Sequence, residues 1–139
     1  MKKMLNTGFA YGIAAMAGGV FYREFTKLNG FTGRTALGFV HPHLFGLGAL
    51  VFLLAALFAS RFPEWTSKKK FFWFYRLYNA GLPITACLLL IRGVLQVRKL
   101  TLSAGLDASI SGVAGIGHLL LGAGIVFLFL SLKDEAASC

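Results

Sequence analysis

The sequence predicts an all-α fold, an integral membrane antiparallel four-helix bundle, and three observations lead to it. Of its 139 residues, 57 % are hydrophobic and the mean hydropathy is +0.72, whereas soluble domains contain about 45–50 % apolar residues. Charged residues are scarce and lie in short clusters between uncharged stretches, because lipid excludes ions from the spans. Four of those stretches approach the roughly 20 residues that cross a hydrocarbon core.

The predicted spans cover residues 4–22, 37–60, 71–95 and 110–132. Continuous apolar runs of that length must be helices, because only a helix satisfies every backbone group within one segment. Short connections make neighbouring helices antiparallel. The whole chain, 1–139, is therefore predicted to be a single transmembrane domain that starts with a retained first helix.

Small and aromatic residues predict how the spans pack. The first span has a stripe of small residues suited to close backbone approach: Gly8, Gly12, Ala15 and Gly19. The third span opens with five aromatic residues, 71–75, directly after three lysines. This pattern predicts an aromatic belt at the membrane interface, and Pro83 predicts a kink further along the same span.

The basic residues predict orientation and exclude one class of partner. With a net charge of +9, a soluble protein would suggest nucleic acid, but these cations lie at span ends, where they meet anionic lipid headgroups. Eight of them fall on the side of both termini and six on the other side. The positive-inside rule then predicts a multi-pass membrane protein with both termini in the cytoplasm.

Other residue types narrow the function classes. Cys87 lies mid-span and Cys139 is the last residue, so neither a disulfide between them nor a zinc ribbon or thiol-redox motif is predicted. The acidic residues all lie at span ends or in loops, which disfavours a coupled transporter. An enzymatic activity is left open, since general acid–base chemistry would fall to His, Tyr or a cofactor.

Two histidines of different spans are predicted to share one depth in the membrane. The second and fourth spans run in the same direction, and His43 and His118 lie 17 and 14 residues before the span ends at Ser60 and Leu132. At 1.5 Å per residue, the two imidazoles differ in depth by only about 5 Å. Intramembrane histidines are costly, and they are functional candidates by default.

His41 and His43 cannot both face that centre from a regular helix, since residues two apart point about 200° away from each other. Pro42 lies between them. It is either the first residue of the helix or, if the helix begins near Thr35, an interior residue that loosens the preceding turn. In both cases the two histidines are expected to have different roles.

Glycines flank the histidines of the candidate centre. Gly115 and Gly122 share the helix face of His118, and Gly46 follows His43 by three residues. An imidazole between glycines on an apolar face leaves a flat, open slot of the kind that a haem requires. The sequence thus predicts haem b ligated by His118 and a histidine of the second span, either His43 or His41.

Haem propionates need cationic partners at the membrane surface on the histidine side. Arginine suits carboxylates because of its forked geometry. Three arginines of that side are candidates: Arg92, Arg23 and Arg34. Arg92 is preferred because it lies within the end of a span rather than in a loop.

Several alternatives stay open at this stage. Two axial imidazoles favour electron transfer with a redox partner, whereas a single one leaves a position for oxygen or nitric oxide. A different class is a copper or zinc protein that uses His41, His43 and His118 together. A third is a cofactor-free assembly or structural protein, such as a homo-oligomer, whose histidines only bridge helices.

The stretch "AGGVFYREFTKLNGFTG", followed by "HPHLFGLG", resembles a family of small four-span bacterial membrane proteins of unknown function. Pro42 departs from the small polar residue expected between the paired histidines. A looser similarity links the segment beginning at His41 to the haem-ligating helices of the haem–copper oxidase superfamily. That resemblance implies haem b or copper held by His43 and His118, with His41 as a third ligand.

Overall fold

The computed structural model describes residues 1–137 and contains four long helices within them, with no strand in that range. These are α1 (Lys2–Leu28), α2 (Ala36–Arg61), α3 (Lys69–Val97) and α4 (Ala104–Ala136). All four are long and apolar enough to cross a membrane. The prediction of an all-α four-helix bundle is confirmed, and the chain is a multi-pass membrane protein. Cys139, named above, lies outside the described residues.

Each helix contains its predicted span and extends a few residues beyond it at both ends. The reason is that charged residues at the membrane surface continue a helix as readily as apolar ones do. A short 3₁₀ segment, Pro63–Ser67, connects α2 to α3.

The helix α2 changes its hydrogen-bonding pattern along its length. It begins as a 3₁₀ turn over Ala36–Phe39, where the Thr35 hydroxyl accepts a hydrogen bond from the Leu37 N–H. Pro42 is therefore an interior residue, the second of the two predicted alternatives. Directly after it, His43–Leu50 form a π-helical segment. Because proline has no N–H to donate, the preceding turn is loosened and the wider π turn can follow.

The small-residue stripe of α1 packs against α2, as predicted. A Cβ placed on Gly8 would lie 3.2 Å from the Ala49 carbonyl oxygen, and one on Gly19 would lie 3.3 Å from the His41 ring. Ala15 is completely buried in the same interface. The two helix backbones approach this closely because these positions have almost no side chain.

The helix α4 packs along α3, again through glycines. A Cβ on Gly81 would lie 2.6 Å from the Leu121 nitrogen, and one on Gly124 would lie 3.0 Å from Tyr78. Within residues 1–137, α4 makes nearly all its helix contacts with α3 and very few with α2. One side of the bundle therefore has a groove between α2 and α4.

The largest buried side chains of the core are aromatic, and several of them lie where α1, α2 and α3 meet. Phe52, Phe74 and Tyr78 are completely buried, and the Phe52 ring centre lies 5.8 Å from each of the other two. The predicted aromatic belt is wrong in part, because Phe74 is inside and only Phe72 and Trp73 are exposed, at 46 % and 40 %. Consecutive helical residues point 100° apart, so a run of five surrounds the helix.

Ion pairs join the carboxyl end of α4 to the start of α3. Lys68 pairs with Glu135, and Lys70 pairs with Asp134 at 2.7 Å. The hydrogen bond that the Lys68 ammonium donates to Glu135 raises the pKa of Lys68, so the lysine stays charged at neutral pH. These pairs place the α2–α3 connection and the carboxyl end of α4 on the same side of the bundle.

Candidate haem or metal centre

His43 on α2 and His118 on α4 face each other across the groove between those helices. Their ring centres lie 6.5 Å apart and the ring planes are nearly perpendicular, at 85°. Each histidine lies the same number of residues before the carboxyl end of its helix. The equal depth expected from the sequence is thus reproduced, and the two imidazoles come together.

Both imidazoles are oriented by hydrogen bonds within their own helices. The Nδ1 of His43 lies 2.8 Å from the Phe39 carbonyl oxygen, and the Nδ1 of His118 lies 2.8 Å from that of Ala114. A carbonyl oxygen only accepts, so each Nδ1 carries the proton and donates it. In the neutral imidazole this leaves Nε2 unprotonated, which is the arrangement typical of metal-ligating histidines.

The backbone beside the two imidazoles is open. A Cβ placed on Gly46, Gly115 or Gly122 would meet no described atom within 4 Å. His118 is exposed and His43 is half-buried. Toward the carboxyl ends of α2 and α4, the groove is lined by apolar residues, among them Leu47 and Ile125. The backbone near the two rings is therefore free of described side chains, and the groove next to them is apolar.

His41 lies elsewhere. Its Nδ1 is 2.8 Å from the Ala15 carbonyl oxygen on α1, and its ring stacks on Phe45 at 5.8 Å. It therefore holds α1 and α2 together, on the side away from His118. Across residues 1–137 there is no group of three His, Cys, Asp or Glu side chains that could hold a metal ion. The alternative of a metal site built from all three histidines is not supported by this arrangement, because His41 contacts α1 whereas His43 faces His118.

The three candidate arginines differ in their surroundings. The guanidinium of Arg92 donates to Asp107 at 3.0 Å and to Ser111 at 2.8 Å, which links α3 to α4. Ser111 lies two turns before His118 on the same helix face, or about 10 Å along the axis. Arg23 instead pairs with its neighbour Glu24, and Arg34 is exposed in the α1–α2 connection. Only Arg92 is joined to the helix of His118.

A chain of polar contacts between α1 and α3 has no counterpart in the sequence analysis. The Thr7 hydroxyl lies 2.8 Å from that of Tyr75, and Tyr11 donates to the Asn79 side-chain oxygen at 2.9 Å. The sequence contains a signal for these contacts. Thr7 and Tyr11 in the first span, like Tyr75 and Asn79 in the third, are polar residues spaced four apart in an apolar span. Asn79 bridges α1 and α3 through Tyr11, whereas the buried Thr85 hydroxyl has no hydrogen-bond partner among the described residues.

Comparison with known proteins identifies the family of this chain. A family model described as "Protein of unknown function (DUF2871)" matches residues 1–135. The chain belongs to this family. No curated protein and no solved structure matches the chain. The resemblance to a four-span family of unknown function is therefore supported at the level of the family, whereas the looser similarity to haem–copper oxidase helices is not supported.

Proposed function

We propose that this chain is a haem-binding protein of the bacterial cytoplasmic membrane, with His43 and His118 as the two axial ligands of a b-type haem. The observation behind the proposal is the facing pair of imidazoles, 6.5 Å apart between ring centres. Bound haem would supply a one-electron iron couple. With both termini in the cytoplasm, the centre would lie toward the outer half of the membrane.

The distance between the rings suits two ligands on opposite sides of one metal ion. An imidazole nitrogen binds a transition metal at about 2 Å. Two imidazoles on opposite sides of the metal then have ring centres about 6 Å apart, whereas a tetrahedral site brings them to about 5 Å. The observed 6.5 Å favours the opposed arrangement, and perpendicular ring planes are compatible with it.

The surroundings suit a haem in three further respects. Both Nδ1 atoms donate to backbone carbonyls, which leaves Nε2 as the ligating atom. The glycines beside the rings leave space where side chains would otherwise stand. Arg92, which donates to Ser111 two helical turns before His118, would be a partner for a propionate and would be shared with Asp107.

Two histidine ligands favour electron transfer over gas binding, because they leave no position open on the iron. A copper or zinc ion alone is less well supported, since only two imidazoles face each other and structural zinc requires four ligands. The redox partner would be a membrane or surface protein that exchanges single electrons.

The test is the visible spectrum of the purified protein after expression with ample haem. The wild type is expected to show a Soret band, and the reduced form the sharp α and β bands of a low-spin haem with two histidine ligands. His43→Ala and His118→Ala should each lose that spectrum. His41→Ala is the matched control and should keep it, because the His41 ring binds the Ala15 carbonyl instead.

The outcome that contradicts the proposal is equally definite. A wild-type protein that folds, as judged by helical circular dichroism and a symmetric gel-filtration peak, but has no Soret band is not a haem protein. Stoichiometric copper or zinc without porphyrin in elemental analysis would favour a metal centre. A folded protein that contains neither a chromophore nor a metal would favour the cofactor-free assembly role.

A further inference from the structure

Apart from the groove between α2 and α4, a cavity lies at the opposite end of the bundle from the histidines. It encloses about 500 Å³ between the start of α1, the α2–α3 connection and the first turns of α3. Three consecutive lysines, 68–70, lie at the start of α3 at the same end. Basic clusters of this kind mark the membrane surface, so this cavity lies at the level of the lipid headgroups.

Two cations line the cavity, and aromatic rings hold both of them. The Lys3 ammonium nitrogen lies 3.9 Å from the centre of the Tyr75 ring, and the Arg76 guanidinium carbon lies 4.7 Å from that of Phe72. These are cation–π distances. Neither cation takes part in an ion pair of residues 1–137, so both charges remain available to an anion.

The acidic groups at this end do not neutralise those two cations. Asp134 pairs with Lys70 and Glu135 pairs with Lys68. Among residues 1–137, the remaining acidic side chain on this side is Glu64, which is exposed in the α2–α3 connection and does not line the cavity. The cavity therefore has a net positive lining.

The lining of the cavity combines polar and apolar groups. Thr66 and Tyr75 contribute hydroxyl groups, whereas Phe71, Phe72 and Ala80 contribute apolar walls.

We propose that an anionic phospholipid binds here, with its phosphate between Lys3 and Arg76 and an acyl chain along the Phe72 side. Charge complementarity selects the anion, and the apolar wall selects an amphiphile over a free phosphate. This site is independent of the histidine pair.

The test titrates the detergent-solubilised full chain with short-chain phosphatidylglycerol while its thermal unfolding is followed. Binding to the folded state alone raises the apparent Tm. The double variant Lys3→Gln/Arg76→Gln should bind the lipid at least roughly tenfold more weakly, because two charge-assisted contacts are lost. The control Lys2→Gln/Arg61→Gln removes the same charge from the same end, outside the cavity lining, and should bind as the wild type does.

Two parallel titrations decide the ligand. Short-chain phosphatidylcholine, which has no net charge, should raise the Tm much less than phosphatidylglycerol does. Inorganic phosphate should have no effect at the same concentration, and an equal effect would assign the cavity to a soluble phosphate instead. If both double variants bind phosphatidylglycerol equally weakly, the binding depends on general surface charge, and the proposed site is overturned.

Discussion

At the scale of single residues, the two histidines of the "HPH" segment have opposite surroundings. His41 donates to a carbonyl of α1, whereas His43 faces His118 across the groove. The equal depth of His43 and His118 was predictable by counting residues along two helices of the same direction. The choice between His41 and His43 was not, because it depends on how Pro42 and the π turn rotate the start of α2.

The glycines beside His118 provide a test of the haem site that leaves the ligands in place. Gly115→Leu and Gly122→Leu should each lower the ratio of bound haem to protein several-fold, because the new side chain occupies space that is now empty. The thermal stability without haem should change little, since an added Cβ meets no described atom there. The ratio is measured from the Soret and protein absorbances.

Gly112→Leu is the control for these two substitutions. Gly112 also has open space around its Cβ position, but it lies about 120° around the helix from His118. Full haem occupancy in Gly115→Leu and Gly122→Leu would place any haem away from this face.

At the scale of helices, glycine determines which pairs pack closely. Gly81 and Gly117 bring α3 and α4 together, and Gly8 brings α1 to α2. The sequence analysis identified the stripe on α1 but assigned the glycines near His118 only to a cofactor. Of the α4 glycines, Gly117 and Gly124 face α3, whereas Gly115 and Gly122 face open space. A difference of two residues in position therefore separates the packing glycines from those of the candidate site.

Gly81→Ala should destabilise the protein by about 1–3 kcal/mol. The added Cβ would lie 2.6 Å from the Leu121 nitrogen and 2.7 Å from the Gly117 carbonyl oxygen, so α3 and α4 must move apart. Equilibrium unfolding in detergent measures the change. Gly112→Ala, which adds the same methyl group in open space, should be as stable as the wild type or slightly more stable. Equal stability of Gly81→Ala would mean that the two helices separate without cost.

At the scale of the whole molecule, the bundle has two chemically distinct ends. One end contains the start of α1, the α2–α3 connection and the carboxyl end of α4. The Lys68–Glu135 and Lys70–Asp134 pairs and the proposed phospholipid cavity lie at this end. The histidine pair lies toward the other end, near the Arg92–Asp107 pair. This polarity agrees with the excess of cations on the side of the termini.

Orientation in the membrane is tested by thiol labelling from outside intact spheroplasts. In a background with Cys87→Ser and Cys139→Ser, a cysteine introduced by Ser67→Cys should react with an impermeant maleimide only after permeabilisation. Asn29→Cys, in the α1–α2 connection, should react before it. This result is expected because the more basic side stays in the cytoplasm. The reverse pattern would invert the orientation and place the histidine pair toward the cytoplasm.

The sequence by itself determined the four helices, their approximate ends, their membrane-spanning character and the shared depth of His43 and His118. These properties depend on composition and helical rise within each segment, because lipid demands apolar residues and complete backbone hydrogen bonding locally. The tertiary structure alone decided that His43 rather than His41 faces His118, that α4 packs on α3 and leaves a groove beside α2, and that Arg92 is joined to α4 through Asp107 and Ser111. Those features depend on which helix faces meet, and that is set by close contacts between residues distant in the chain.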